Sequence, residues 1–196
     1  MQGSGMIHPN MCTMLGFVTT DVNISKELLQ EALSQDVKDT YNMVSVDGDT
    51  STNDTVLLLA NGMAGNPEIT EKNEDYRAFC QALNYVNTQL AKKIAGDGEG
   101  ATALFEVKII GAESKEQAVT LSKSVVTSSL TKAAIYGMMP TGAVFSALWD
   151  IPAPSLIRKR WICILRAEPE RLRSLRMVFP QVTVRRRQLK FFLRMR

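Results

Sequence analysis

The chain has 196 residues, 45% of them hydrophobic, enough for a sizeable core in one domain or slightly more. A single histidine (His8) excludes a histidine-based metal cluster, and Cys12, Cys80 and Cys163 have no metal-like spacing. The net charge of +3 conceals a division: residues 1–150 carry 10 Lys and Arg against 18 Asp and Glu, whereas 151–196 carry 13 against 2. The odd cysteine count suits a reducing compartment without structural disulfides. No apolar run is long enough to span a bilayer, and no charged-then-apolar leader opens the chain. A cytoplasmic location with no membrane partner is therefore expected.

The stretch from Gly3 to Phe17 places three glycines, Pro9-Asn10 and Cys12-Thr13 around the start of a strand-forming run. Pro9-Asn10 is a turn signal, and residues 13–20 alternate as a strand does. A threonine hydroxyl is a poor nucleophile without a neighbouring base. The nearest base is its own backbone amine once the preceding bond is cut. With a pKa of roughly 7.7–8, that amine can accept the hydroxyl proton near neutral pH. The Cys12–Thr13 bond is thus a candidate self-cleavage site, although by spacing alone such a threonine is more often a plain strand residue.

Ser25 is an N-cap signal for a helix running to about Tyr41, with Leu28, Leu29, Ala32, Leu33, Val37 and Tyr41 on one face. A short strand is expected at Val44–Val46, then a loop rich in carboxylates and hydroxyls at 47–54, then the apolar strand Thr55–Leu59. That loop can bind a cation or a substrate, or be a hydrogen-bonded turn; residue chemistry alone favours the turn. Residues 62–72 read as a loop. A long helix is expected from Glu74 to Ala95, its stripe running through Tyr76, Phe79, Cys80, Leu83, Val86, Leu90 and Ile94. Cys80 within that stripe reads as a small buried hydrophobe. The loop 97–102 carries Glu99 between two glycines, an arrangement that can grip an amino group or be a solvated acidic loop. A strand at 103–110, a capping box at Ser114–Gln117 opening a third helix to about Thr127, and a strand at Lys132–Tyr136 follow. The order β-α-β-β-α-β-α-β predicts an α/β fold of helices layered on sheet.

From Met138 the periodicity is lost, and 158–196 becomes arginine-rich with Trp161, Phe179, Phe191 and Phe192 interleaved. At face value this is a basic aromatic patch for nucleic acid or an anionic surface.

Three strings carry a resemblance: Pro9-Asn10-Met11-Cys12-Thr13, the run from Val46 to Gly62, and the stretch Asp97-Gly98-Glu99-Gly100-Ala101-Thr102. Together they resemble the ornithine acetyltransferases, the bifunctional glutamate N-acetyltransferases of arginine biosynthesis, over about residues 2–137. The resemblance implies that the Cys12–Thr13 bond breaks and that Thr13 becomes the acetyl-carrying nucleophile, with cysteine where alanine is common. It implies that Glu99 contacts the amino-acid substrate and that acetyl passes from N-acetylornithine, or from acetyl-CoA in bifunctional members, to glutamate. No cofactor and no metal are implied, acetyl-CoA entering only as a substrate.

The family also has an upstream subunit from the same precursor, which supplies a threonine-glycine oxyanion hole, and a heterotetramer-like assembly. Gln2 stands where the family has a substrate-binding lysine. Residues 1–137 are then the first part of the nucleophile-bearing subunit, and the chain alone is expected to be an inactive fragment that leaves Cys12–Thr13 uncut.

The family runs on after the Tyr136-Gly137 position as N-D-A-N-W-G-R. Met and Trp have single codons, so part of the underlying DNA is known. Reading one base early, Met138 into Met139 spells Asp, Met139 into Pro140 spells Ala, and Trp149 into Asp150 spells Gly. The same offset turns AGR arginine codons into glutamate or lysine codons. Residues 138–196 are therefore expected to be a frameshifted, disordered basic tail with no specific nucleic-acid partner. The alternative is a non-catalytic binding module using 158–196.

Overall fold

Strand-forming residues make Leu15–Thr20 a strand (β1), and the short continuous apolar run at Thr55–Ala60 makes a second (β2). The two pair in parallel, from Leu15 opposite Thr55 to Thr20 opposite Ala60. Parallel strands need a crossover connection, and the helix Lys26–Asp39 (α1) supplies it. The computed structural model describes residues 14–49, 52–98, 100–101, 104–136, 162–168 and 175–178. The chain divides into two compact units, Met1–Gly100 and Ala101–Arg196.

In the first unit α1 begins where the sequence places it. Ser25 takes the N-cap, its hydroxyl accepting from the Leu28 N–H at 3.4 Å. The long helix Glu74–Gly96 (α2) is capped by Asn73, whose side chain accepts from the Tyr76 N–H at 3.0 Å. Both helices lay apolar stripes against one face of the β1–β2 pair. Met14, Val37, Tyr41, Val56, Ala91 and Ile94 form one core cluster. Leu28, Ala32, Ile69, Tyr76 and Leu83 form another, with Val18, Leu58 and Cys80 packed against it. The opposite face of the pair carries Leu15, Phe17, Leu57 and Leu59, all exposed.

The segment after β2, read from sequence as a free loop, is tied to the β1–α1 connection. Asn61 N–H donates to the Thr20 carbonyl at 3.1 Å, Ala64 N–H to Asp21 at 2.8 Å, and Ile69 N–H to Asn23 at 3.0 Å. Asn66 completes the tie, its Oδ1 accepting from Asn23 N–H at 2.9 Å while its Nδ2 donates to the Asn23 carbonyl at 3.0 Å. Gly62 makes this return possible with φ at +72°, and a Cβ there would stand 3.5 Å from Asn23 Oδ1. A side chain in that left-handed region costs about 1–2 kcal/mol. Gly62→Ala is accordingly expected to lower stability by about that much in a denaturant melt. An unchanged midpoint would show that the tie relaxes freely.

The second unit contains the strand Leu104–Ile110 (β3) and the helix Lys115–Val126 (α3), which packs on it. Ser114 caps α3, accepting from Gln117 N–H at 3.1 Å, and the Gln117 side chain accepts in turn from Glu113 N–H at 2.6 Å. Leu121 and Val125 are the buried residues of α3. A further helix, Ser129–Tyr136 (α4), follows, and Ile162–Glu168 (β4) and Leu175–Val178 (β5) complete an antiparallel sheet in the order β3-β4-β5.

Three expectations are corrected here. Residues Val44–Val46 are not a strand: the chain turns through a 3-10 segment at Tyr41–Met43, and the Val44 N–H closes onto the Tyr41 carbonyl at 3.0 Å. Val44 and Val46 still pack on the core as apolar residues. Residues 132–136 are helical rather than extended. Ser128 caps that helix, its hydroxyl accepting from Thr131 N–H at 3.2 Å and its carbonyl from Lys132 N–H at 3.0 Å. The third correction concerns the tail, expected to hold no regular structure. Residues 162–168 run antiparallel to β3, Ile110 opposite Ile162 and Leu104 opposite Glu168, and 175–178 pair with them. The exposed edge of β3 needs partners for its backbone groups, and the Ile-Cys-Ile-Leu run at 162–165 has the apolar composition to supply them. The α/β class itself is as expected.

Candidate active site

Thr13 and Cys12, the predicted nucleophile and the residue before it, lie outside the described residues, as does Glu99, the predicted substrate contact. The described residues on either side locate their attachment points in the fold. Met14, bonded directly to Thr13, is buried at the entry to β1 and its side chain belongs to the core. Its carbonyl accepts from the Thr55 N–H at 2.7 Å, so the backbone at this point is pinned to the start of β2. On the far side, α2 ends with Asp97 N–H donating to the Lys93 and Ile94 carbonyls, and Gly100 takes φ of +70°.

The acidic loop at 47–54 resolves in favour of a turn where it is described. Gly48 has φ of +85°, and the Asp49 N–H donates to Asp47 Oδ1 at 3.0 Å. Its last residue behaves differently. Asp54 is half-buried, both its carboxyl oxygens are closed to solvent, and no described group meets them in hydrogen-bonding geometry. Burial pushes its pKa above the usual aspartate range, while the nearby Met14 N–H draws it down without completing a hydrogen bond.

A second polar feature lies between α1 and α2. Asp36 accepts from Asn84 Nδ2 at 2.7 Å through one carboxyl oxygen and from Asn87 Nδ2 at 2.6 Å through the other. Asn87 Oδ1 accepts from the Tyr41 hydroxyl at 3.0 Å, and Thr40 Oγ1 donates to the Asp36 carbonyl at 2.9 Å. Burial, reinforced by Asp36, pushes the Tyr41 hydroxyl up to about 12. Every described member is satisfied, which makes this a cross-link between helices rather than a reactive centre. Tyr41 also approaches β1, since a Cβ at Gly16 would stand 3.8 Å from its hydroxyl.

Sequence reasoning missed both features, yet a signal existed for the second. Asp36 and Asn87 each fall within the apolar stripe of their helix, at the spacing where a hydrophobic residue belongs. A polar side chain at such a position needs a partner, and these two are each other's.

Comparison with known proteins agrees with this fold. A crystal structure of the arginine biosynthesis bifunctional protein ArgJ from Bacillus halodurans superposes with a TM-score of 0.69 at 40% identity, covering 78% of this chain and 72% of that one. The ArgJ 1 bifunctional protein of Clostridium acetobutylicum is 60% identical over 136 residues, 69% of this chain and 33% of its own length. The ArgJ protein of Staphylococcus epidermidis is 53% identical over 175 residues, 86% of this chain and 44% of its own. The chain thus spans between a third and a half of the curated relatives it matches. The ArgJ family model matches residues 1–150, and the chain belongs to the ArgJ family.

Proposed function

We propose that this chain carries the nucleophile of an acetyltransferase that moves acetyl from N-acetylornithine, or from acetyl-CoA, to glutamate. The observation that carries the reading is the family match over residues 1–150, which includes the Cys12–Thr13 bond and Glu99. Breaking that bond gives Thr13 a free amine beside its hydroxyl. The amine accepts the hydroxyl proton as the oxygen attacks the acetyl carbonyl, then returns that proton to the α-nitrogen as the C–N bond breaks and ornithine leaves. The acetyl-threonine ester is then attacked by the amino group of glutamate, which restores the hydroxyl. Glu99 pairs with the amino-acid substrate between its two glycines. No cofactor or metal is needed in this scheme. The partner is the remaining length of the relatives, an upstream subunit that supplies oxyanion donors, worth about 10²–10³ in rate per donor. The setting is the cytoplasm, where these small substrates are made.

The tail beyond residue 137 is read as the product of a shifted frame, which accounts for its arginine excess. The bases of the gene decide that point directly: N-D-A-N-W-G-R in the neighbouring frame supports it, and its absence removes it.

Intact-mass analysis tests the enzymatic reading. The purified chain is incubated with N-acetylornithine, alone and together with the upstream polypeptide of the Clostridium relative. One acetyl group on a chain beginning at Thr13, discharged on adding glutamate, is the expected result. A parallel incubation with acetyl-CoA shows whether that donor is also accepted. An acetyl group that stays in place with glutamate, or none under either condition, would overturn the proposal.

A further inference from the structure

The strand β3 stands at the end of its sheet. In the order β3-β4-β5 one edge of Leu104–Ile110 pairs with β4, and among the described strands none pairs with the other edge. The described elements that pack closely on β3 are β4 and α3. An open strand edge offers a row of backbone N–H and C=O groups to another chain, and proteins blunt such edges by keeping them short or charged. This one is seven residues long and apolar apart from Glu106 and Lys108. Lys108 is exposed, and Ile110 keeps 40% of its surface in solvent.

The order of these residues decides which partner fits. When two copies of a strand pair antiparallel about a two-fold axis, residues equidistant from the axis on either side face each other. With the axis at Val107, Glu106 lies opposite Lys108 of the second copy, Phe105 opposite Ile109, and Leu104 opposite Ile110. Both charges of the strand then meet their opposites, and every apolar residue meets an apolar one. Moving the axis by one residue either way sets glutamate against glutamate or lysine against lysine, so the pattern also specifies its register.

We propose that β3 is a self-pairing edge through which two copies of this chain join, making one continuous sheet in the order β5-β4-β3-β3-β4-β5. A second copy is the partner, rather than an unrelated strand, because the charge order of β3 is its own complement. A single strand pairing falls short of a standard interface of about 1,600 Å², so the dimer is weak and depends on concentration. The proposal is independent of the acetyl-transfer reading, and its test involves no substrate.

Sedimentation velocity of the full chain over a range of concentrations reads the association, and the unaltered chain is expected to pass from monomer to dimer as concentration rises. Glu106→Lys and Lys108→Glu each set like charges face to face twice in the dimer. Each is expected to raise the dissociation constant by about tenfold or more. An equal mixture of the two variants pairs the lysines of one with the glutamates of the other, so a heterodimer is expected where neither variant associates with itself. Circular dichroism checks the fold of each. Within the chain Glu106 lies opposite Arg166, whereas Lys108 lies opposite Ile164, so Lys108→Glu sets no like charge across from β3 in β4. Where Glu106→Lys disturbs the pairing with β4, Lys108→Glu alone decides. A chain that stays monomeric at every concentration overturns the proposal. A dimer that Lys108→Glu leaves as tight as before overturns it too, since the contact then lies elsewhere, and so does a mixture of folded variants that forms no heterodimer.

Discussion

Replacing Asn87 with alanine is expected to destabilise the first unit by about 2–5 kcal/mol, the cost of leaving two buried polar groups without partners. Asn87 is fully buried and spans the gap between Asp36 on α1 and the Tyr41 hydroxyl, at 2.6 Å and 3.0 Å. Its loss strands one Asp36 oxygen, left with only the long 3.4 Å contact to Thr40 Oγ1, and the Tyr41 hydroxyl with it. Urea denaturation followed by circular dichroism measures the change as a shift in midpoint. In the double variant Asn87→Ala with Tyr41→Phe the second loss should be much smaller than in the native background, because the tyrosine hydroxyl has already lost its acceptor. A cost below about 1 kcal/mol would mean that water replaces the amide, and that the network is not what joins α1 to α2.

The parts of this fold that were legible in the sequence are those where local and tertiary preferences agree. Ser25 and Ser114 both cap helices because a hydroxyl there satisfies an N–H that the helix leaves free, whatever lies around it. The stripe from Tyr76 to Ile94 reads as one helix because its spacing repeats over many turns. The misread elements are short. Residues 132–136 contain Ile135 and Tyr136, which favour strands, but the Ser128 cap and the two alanines decide for a helix. Val44–Val46 looks like a strand because two β-branched residues alternate with a serine, yet alternation says nothing about whether a neighbouring strand exists to pair with. The strand at 162–168 lies more than 50 residues from its partner β3, and no local period announces that pairing.

The site divides in the same way. Thr13 and Glu99 are ordinary loop and strand residues by spacing, and only the surrounding strings single them out. Asp54 could not be found at all from sequence. In a run of hydroxyls and carboxylates it looks like one more solvated residue, and what distinguishes it is the β1–β2 register that sets it opposite Met14.

Thr13→Ala is expected to abolish acetyl transfer, on the order of 10⁴–10⁶ in rate, and to leave no acetyl-enzyme detectable by mass. The size follows from the chemistry: without the hydroxyl there is no ester intermediate, so neither half of a ping-pong exchange can proceed. The same substitution is expected to leave the Cys12–Thr13 bond whole, since the side chain that attacks the preceding carbonyl is the one removed. Thr13→Ser separates the chemistry from the packing. Serine keeps the hydroxyl and the adjacent amine, and is expected to retain both cleavage and transfer at a reduced rate. What it gives up is the methyl group, which limits the rotamers of a β-branched residue and so helps hold the oxygen in an attacking position. With the upstream polypeptide of the Clostridium relative present, intact mass reads the cleavage, and acetyl exchange between N-acetylornithine and labelled glutamate reads the transfer. Unchanged exchange in Thr13→Ala would take the nucleophile away from this residue, and with it the reason for the cut before it.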